Sequence, residues 1–441
     1  MARGGPSDRE IGRAALAKAS WRLLPLFCLG YGVAYMDRVN ISFAALQMNQ
    51  DLHFSAAVYG LGAGLFFLSY AASEVPANLM LLRFGARRWI ASIMLAWGAL
   101  AVGMMFVRTP MQFYLMRLLL GAAEAGFFPG VLFYLTRWFP TEYRGRAISR
   151  FYVALPLSSV VMGAIAGTLL GQGGRLGLAG WQWLFLVEGL PAVGLSLVFL
   201  VTLPEGPAVA RWLTPDERGW IADRLAADEA TMGGPDNRRL GEILTDRRVW
   251  LLGICNLLIL GAGYAFTLSA PAVLQAASHL DAGAIGALVA VGGLLGAPAM
   301  LLIAWDSDRR RERHWHVVVP VAMAAAGFIV IGTATASWMA LGAYLVIAVC
   351  LTAVQGVFWS LPGDVLQGRS AAVGVAAILG IGQVGSFLFP WAFGLARDIT
   401  GGYQAGLLGL AAPFVAAAAI VLVVRRVGRS NPVPAARLTV V

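Results

Sequence analysis

An aspartate and an arginine, Asp37 and Arg38, stand side by side inside the apolar run 23–46. Each would cost roughly 2.5–3.5 kcal/mol at the centre of a membrane helix on insertion scales, so residues of these types are expected there only where they do work. Four more ionisable residues lie in other apolar runs: Glu74 in 57–82, Arg117 and Glu124 in 111–138, and Glu188 in 181–203. The chemistry open to this set is narrow. A carboxylate in a poorly hydrated site favours its neutral form and can take a proton from one side and release it on the other. A guanidinium stays charged and forks onto carboxylates.

Spacing sharpens the set. At 1.5 Å per residue, Asp37 lies roughly 21 Å from the start of its run and Glu124 roughly 21 Å from the end of its own, so the two carboxylates share a level. Arg117 and Glu124 are seven residues apart, on one helix face and about 10.5 Å apart along the axis. Asp37 and Glu124 are therefore the expected proton sites. Arg38 and Arg117 are expected to hold these carboxylates when they are ionised, or an incoming anion when they are protonated. The competing reading is a buried structural ion-pair network, and Glu74 and Glu188, nearer the ends of their runs, fit structure or gating better. Tyr70, Tyr264 and Gln383 fall at similar depth, roughly 18, 22 and 20 Å into their runs, and are candidates for shaping a pocket.

The elements that must position these side chains follow from composition. Of 441 residues, 59% are hydrophobic and 13% charged, with a mean hydropathy of +0.72, against roughly one quarter charged in a soluble domain. Twelve runs are long enough to span a bilayer: 23–46, 57–82, 89–107, 111–138, 147–171, 181–203, 249–275, 284–305, 315–336, 338–362, 370–396 and 403–424. An all-α polytopic membrane protein is expected. The 22 residues before the first run are polar and basic, and that run is too long for a signal-peptide core, so it stays as the first span. None of the last six spans carries Asp, Glu, Lys or Arg, so the first half is where charge is handled.

The formal charge of +10 does not point to nucleic acid, because the basic residues collect on alternate loops. With the N-terminus inside, Arg108, Arg175 and Arg397 fall at the outer side, Arg38 and Arg117 deep within spans, and every other Lys and Arg on cytoplasmic segments or helix ends, as the positive-inside rule requires. Lys18 is the only lysine, the usage of a GC-rich bacterial genome. The inner membrane is the expected location, with both termini cytoplasmic. Cys28, Cys255 and Cys350 fall within spans without metal spacing and read as packing residues. His53, His279, His314 and His316 sit in or beside loops. No nucleotide site, metal cluster or nucleophile with its base is seen, so neither a cofactor nor enzymatic activity is expected.

The polar segment 204–248 divides the chain into a six-span half with its tail (1–203), a cytoplasmic connector, and a second six-span half with its tail (249–441). Within the connector, Thr214-Pro-Asp-Glu217 is a capping-box signal for a surface helix. The halves echo each other: RFGARRW from Arg83 and RRRERHW from Arg309 occupy the same topological place, with Arg83, Arg87 and Trp89 matching Arg309, Arg313 and Trp315. Duplicated six-helix units are the pattern of secondary transporters with a site between the halves near mid-membrane. Glycines in GLGAG from Gly60 and GIGQVG from Gly380 would let helices approach closely.

This arrangement resembles the major facilitator superfamily over the whole chain. Six stretches carry a narrower likeness to its anion:cation symporter branch: DRVN from Asp37, EVPAN from Glu74, RFGARRW from Arg83, GAAEAGFFPG from Gly121, WQWLFLVEGLP from Trp181 and WLTP from Trp212. That branch includes proton-driven carriers of tartrate, phthalate, hydroxyphenylacetate and sugar acids. The resemblance implies two pseudo-symmetric six-helix halves, alternating access, and proton-coupled uptake of a small organic carboxylate. It implies coupling and anion roles for Asp37, Arg38, Arg117 and Glu124, and it places Trp359 where relatives often have a substrate-facing tryptophan. Gating is implied for the loop residues Arg83, Arg87, Arg88, Asp308 and Arg309.

The sequence also departs from the family. Ser269 replaces a usual tryptophan, Leu379 and Gln383 stand at usual asparagines, and Leu82 replaces the aspartate before the loop arginine, so the arginines of that loop need other partners. The expected partners are a small organic anion, protons and the lipid bilayer. A monomer is expected, since no sustained heptad pattern argues otherwise. The alternatives are a proton-driven efflux antiporter of the same fold or, from another class, a membrane-embedded solute sensor.

Overall fold

The computed structural model describes residues 7–231, 245–362 and 368–430. Among these residues the chain is helical without strands, and eleven helices are long and apolar enough to cross a membrane. Asp37, Arg38 and Asn40 dilute the apolar character of α1 (Asp8–Asp51), which packs against α7, α8 and α10 as the twelfth. The first half continues with α2 (Ala56–Phe84), α3 (Ala86–Gly103), α4 (Pro110–Glu124), α5 (Phe127–Thr136), α6 (Thr141–Tyr152), α7 (Ala154–Leu170) and α8 (Gly180–Thr202). The connector holds α9 (Pro215–Thr231). The second half comprises α10 (Arg247–Ser278), α11 (Ala282–Arg310), α12 (His314–Thr333), α13 (Ser337–Phe358), α14 (Gly368–Thr400) and α15 (Gln404–Ser430).

Two runs expected as continuous helices are broken. The fourth span divides into α4 and α5 at Ala125–Gly126, and the fifth into α6 and α7 at Val153. A proline ring clashes with the carbonyl four residues earlier and offers no N–H to it. Pro129 removes that bond at Ala125 and Pro156 at Tyr152, which is where the breaks fall. Glu124 is thereby left as the last residue of α4.

At the other extreme, α1 begins at Asp8, within the basic tail. The Glu10 carboxylate accepts from the Ser7 backbone N–H at 2.8 Å, starting the helix with a capping contact. The extension exists because α9 packs against it. Gly12 leaves room for the Trp220 ring, and Lys18 Nζ donates to both Glu217 carboxylate oxygens at 2.7 and 2.9 Å. Burial would raise the Glu217 carboxyl, but the Lys18 hydrogen bond and the Thr214 backbone hold it below its ordinary value. The capping box at Thr214 forms as read: Thr214 N–H donates to Glu217 Oε2 at 2.8 Å, and Glu217 N–H donates to Thr214 Oγ1 at 3.3 Å.

The halves meet along three helix pairs, α2 with α14, α7 with α11, and α1 with α10. Glycine makes two of these approaches possible on the side of the molecule away from α9, the far side. Gly60 and Gly64 of α2 lie against the backbones at Pro390 and Phe387 of α14, while Gly163 and Gly167 of α7 lie against Gly286 and Gly283 of α11. No side chain could be added at these positions without moving a neighbouring backbone. Two hydrogen-bonded clasps reinforce the far side. Asp398, near the end of α14, accepts from the Ala56 and Ala57 N–H groups at the start of α2, at 3.0 and 2.8 Å. Tyr59 donates its hydroxyl to the Leu268 carbonyl of α10 at 2.7 Å.

Candidate transport site

The buried charges of the first half gather at one place. Asp37, Arg117, Glu124 and Glu188 are each at most 3% exposed. Arg38 reaches across from α1 to the end of α4, where its Nη2 lies 2.6 Å and its Nε 2.7 Å from Glu124 Oε1. The second Glu124 oxygen has no hydrogen-bond partner. Adjacent residues on a helix point to different faces, which explains why Arg38 pairs with Glu124 and not with its neighbour Asp37.

Asp37 instead lies within electrostatic reach of Glu188 on α8. Its Oδ1 accepts weakly from Asn40 Nδ2 at 3.4 Å, one helical turn on, and its Oδ2 has no partner. Arg117 is close enough to Asp37 and Glu124 to act on both electrostatically, yet its Nε and Nη2 are buried without hydrogen-bond partners. Buried donors left unpaired cost about 1–3 kcal/mol each, and more when charged. What holds this arginine is aromatic: its guanidinium carbon sits 4.7 Å from the Phe66 ring centre, and that of Arg38 lies 5.7 Å from the same ring. Phe66 is thus a shared shelf for both cations.

The expected pocket residues divide. Tyr70 lies in the site, its ring centre 4.8 Å from the Arg38 guanidinium carbon. Tyr264 comes from the second half, within electrostatic reach of Arg38 and 4.3 Å from the Phe67 ring centre. Gln383 has a buried, unpartnered Oε1 on α14. Trp359 follows the last residue of α13 and packs its ring against Phe358 at 5.3 Å. Glu74 is half-buried on α2, near Arg38.

The loop residues lie away from this cluster. Gly85, with a φ of 79°, makes the turn between α2 and α3 that only glycine takes easily. Arg87 pairs with Glu205 at 3.2 Å, so in place of the missing aspartate its partner is the segment after α8. Arg83 lies over Phe84 and Arg309 over Trp305, and Arg88 and Asp308 are exposed.

Sequence reasoning passed over Phe66, Asn40 and the closeness of Glu188 to Asp37. A signal for the second existed, since Asn40 is three residues after Asp37 and so shares its helix face. Phe66 carried no signal, because a phenylalanine among apolar residues of a span looks like any other lipid or packing contact.

Twelve spans in two halves, with the charge buried deep within them confined to the first, fit one known architecture, and residues 27–390 match the Major Facilitator Superfamily. The chain belongs to that superfamily. It is 43% identical over 411 residues to the metabolite transport protein NicT of Pseudomonas putida, covering 91% of this chain and 92% of that one. A protein named for tartrate transport in Agrobacterium vitis is 41% identical over 424 residues, 96% of this chain and 98% of the other. A quinolone resistance transporter of Acinetobacter baumannii is 37% identical over 401 residues, 90% and 92% of the two chains. Among solved structures, a bacterial homologue of the human lysosomal transporter Spinster, inward-facing, matches with a TM-score of 0.77 at 19% identity over 94% of this chain and 99% of that one. The xylose transporter XylE of Escherichia coli, inward-open, matches at 0.72 with 15% identity over 91% and 96%. The chain is a membrane transporter and not an enzyme, and it moves a small molecule.

Proposed function

We propose that this transporter imports a small organic carboxylate together with protons across the bacterial inner membrane, acting as a monomer with both termini in the cytoplasm. The observation that carries the reading is the unequal state of two neighbouring arginines. Arg38 is neutralised by Glu124, while Arg117 keeps buried donors unpaired on the same Phe66 shelf. Protonation of Glu124 would release Arg38, and two guanidiniums over one aromatic ring would then face an anionic ligand. A carboxylate is a bidentate match for such a fork.

Coupling follows from charge balance. The substrate anion can bind where Arg38 has been freed, and Arg38 is freed when Glu124 takes a proton, so anion and proton travel together. Tyr70 and Tyr264, one from each half, would flank the ligand and report its presence to both. With the far side periplasmic, the glycine contacts and the Asp398 and Tyr59 clasps close the outer path, leaving the site facing the cytoplasm. The relatives named for metabolite and tartrate transport agree with a carboxylate substrate.

The quinolone resistance relative favours a second reading, export driven by proton antiport in the same fold. Direction separates the two. Glu124→Gln, which cannot carry a proton, is expected to abolish proton-driven accumulation in proteoliposomes while counterflow exchange of tartrate or another carried acid persists. Uphill uptake by this variant would refute the role of Glu124.

A further inference from the structure

We propose that Glu188 is a second proton-carrying group of the transport site, sharing one proton with Asp37 through Asn40. Glu188 is 3% exposed, and neither of its carboxylate oxygens has a hydrogen-bond partner. No ion pair includes it among the described residues. A buried carboxylate without a cation is held at a penalty of several kcal/mol, which the neutral acid avoids. Glu188 therefore holds a proton in this state.

The groups around it decide what that proton can do. On α8 the next residue, Gly189, packs against Gly98 and Val102 of α3, which carry no charge, and α7 contains no ionisable residue. From α1, Glu188 faces Asn40 and Asp37, and Asp37 is the ionisable group that acts on it. Arg117 and Glu124 of α4 act on Asp37. Glu188 thus reaches the charged cluster through Asp37.

Asn40 suits one protonated and one ionised carboxyl. It is fully buried, its Nδ2 leans on Asp37 Oδ1 at 3.4 Å, and its Oδ1 has no partner. An amide offers donors on one side and an acceptor on the other. The donors suit a carboxylate at Asp37 and the acceptor suits a carboxylic O–H at Glu188. Moving the proton to Asp37 reverses the roles, and an amide turned over serves the reverse arrangement equally well. Two like charges buried about one amide oppose each other's ionisation, so the pair carries one proton between them.

Depth gives the pair a direction. Trp181 Nε1 donates to Asp51 Oδ2 at 2.8 Å, fixing α8 and α1 in register near the far side. From that level, Glu188 lies roughly 10 Å inward, Asn40 roughly 16 Å and Asp37 roughly 21 Å. Glu188 is the carboxyl on the far-side flank, where a proton entering with the substrate arrives before it reaches Asp37.

The proposal rests on Asp37 carrying protons in transport, and its test needs no substrate. Infrared spectra of the full-length protein in lipid bilayers are recorded through a pH titration, for the native chain, Glu188→Gln and Asp37→Asn. The expected result is a protonated-carboxyl signal that disappears in Glu188→Gln. In Asp37→Asn, where the like-charged neighbour is gone, the Glu188 signal should titrate at a proton concentration at least about tenfold higher than in the native chain. Asn40→Ser, which breaks the bridge but keeps both carboxyls, must also displace the Glu188 titration, and it serves where Asp37→Asn fails to assemble. A Glu188 signal that is absent, or one whose titration stays in place in Asp37→Asn, overturns the proposal. Uphill uptake by Asp37→Asn alongside the shared titration would instead overturn the coupling reading and leave the shared proton standing.

Discussion

At the scale of single residues, the site consists of two arginines treated differently by one aromatic ring and one glutamate. Arg38 has a carboxylate at salt-bridge distance; Arg117 has the Phe66 ring and carboxylates that reach it only electrostatically. Electrostatic attraction to a ring is worth about 0.5–2 kcal/mol, less than the cost of a desolvated guanidinium, so Arg117 is the cation with most to gain from an anionic ligand. Arg117→Gln is expected to raise the KM for the carried acid at least about tenfold, one charge-assisted hydrogen bond being worth roughly 1.5–3 kcal/mol. Concentration-dependent exchange in proteoliposomes measures this, and an unchanged KM would assign Arg117 to structure. The level shared by Asp37 and Glu124 was legible from helical rise, and the common face of Arg117 and Glu124 from a seven-residue spacing. The choice of Glu124 by Arg38 was not, because it is made between helices, where periodicity carries no information. The role of Asn40 was half legible, from its spacing but not from its neutral side chain.

At the scale of helices, prolines and glycines shape what the charged residues use. Pro129 breaks the fourth span beside Glu124, and Gly60 and Gly64 seat α2 against α14 on the far side. Both breaks were present in the sequence as prolines, but several other prolines, Pro76 and Pro271 among them, lie within unbroken helices, so position alone does not separate a kink from a break. The start of α1 at Asp8 was hidden because its basic tail becomes amphipathic only against Trp220 of the connector. Asp398 caps the start of α2 from the opposite half, and a side-chain cap contributes about 0.5–2 kcal/mol. Asp398→Ala is therefore expected to open the far side more often. A cysteine at Ala272, which lines a cavity of about 30 Å³ beneath the clasp, should react with an impermeant maleimide several-fold faster, up to roughly 30-fold. An unaltered rate would mean that the glycine contacts alone hold this side closed.

At the scale of the whole molecule, the charge buried deep within the spans lies in one half and the other supplies aromatic and amide groups, with Tyr264 and Gln383 on α10 and α14. On the proposed mechanism, such a division would let a proton be gained or lost within one half while the second half closes over the ligand. The twelve-span architecture was legible because apolar runs of bilayer length are a strong signal; the state of the molecule, closed on the far side, was not, since one sequence must serve both states of a cycle. The central claim is that protons drive inward movement of a carboxylate. It is tested most directly by uptake into proteoliposomes of a panel of acids, with tartrate, aromatic acids and sugar acids among them, with and without an inward proton gradient. The account predicts that at least one acid accumulates above its external concentration when the gradient is present and merely equilibrates when it is absent. Accumulation that ignores the gradient, or acids expelled by it, would contradict the account.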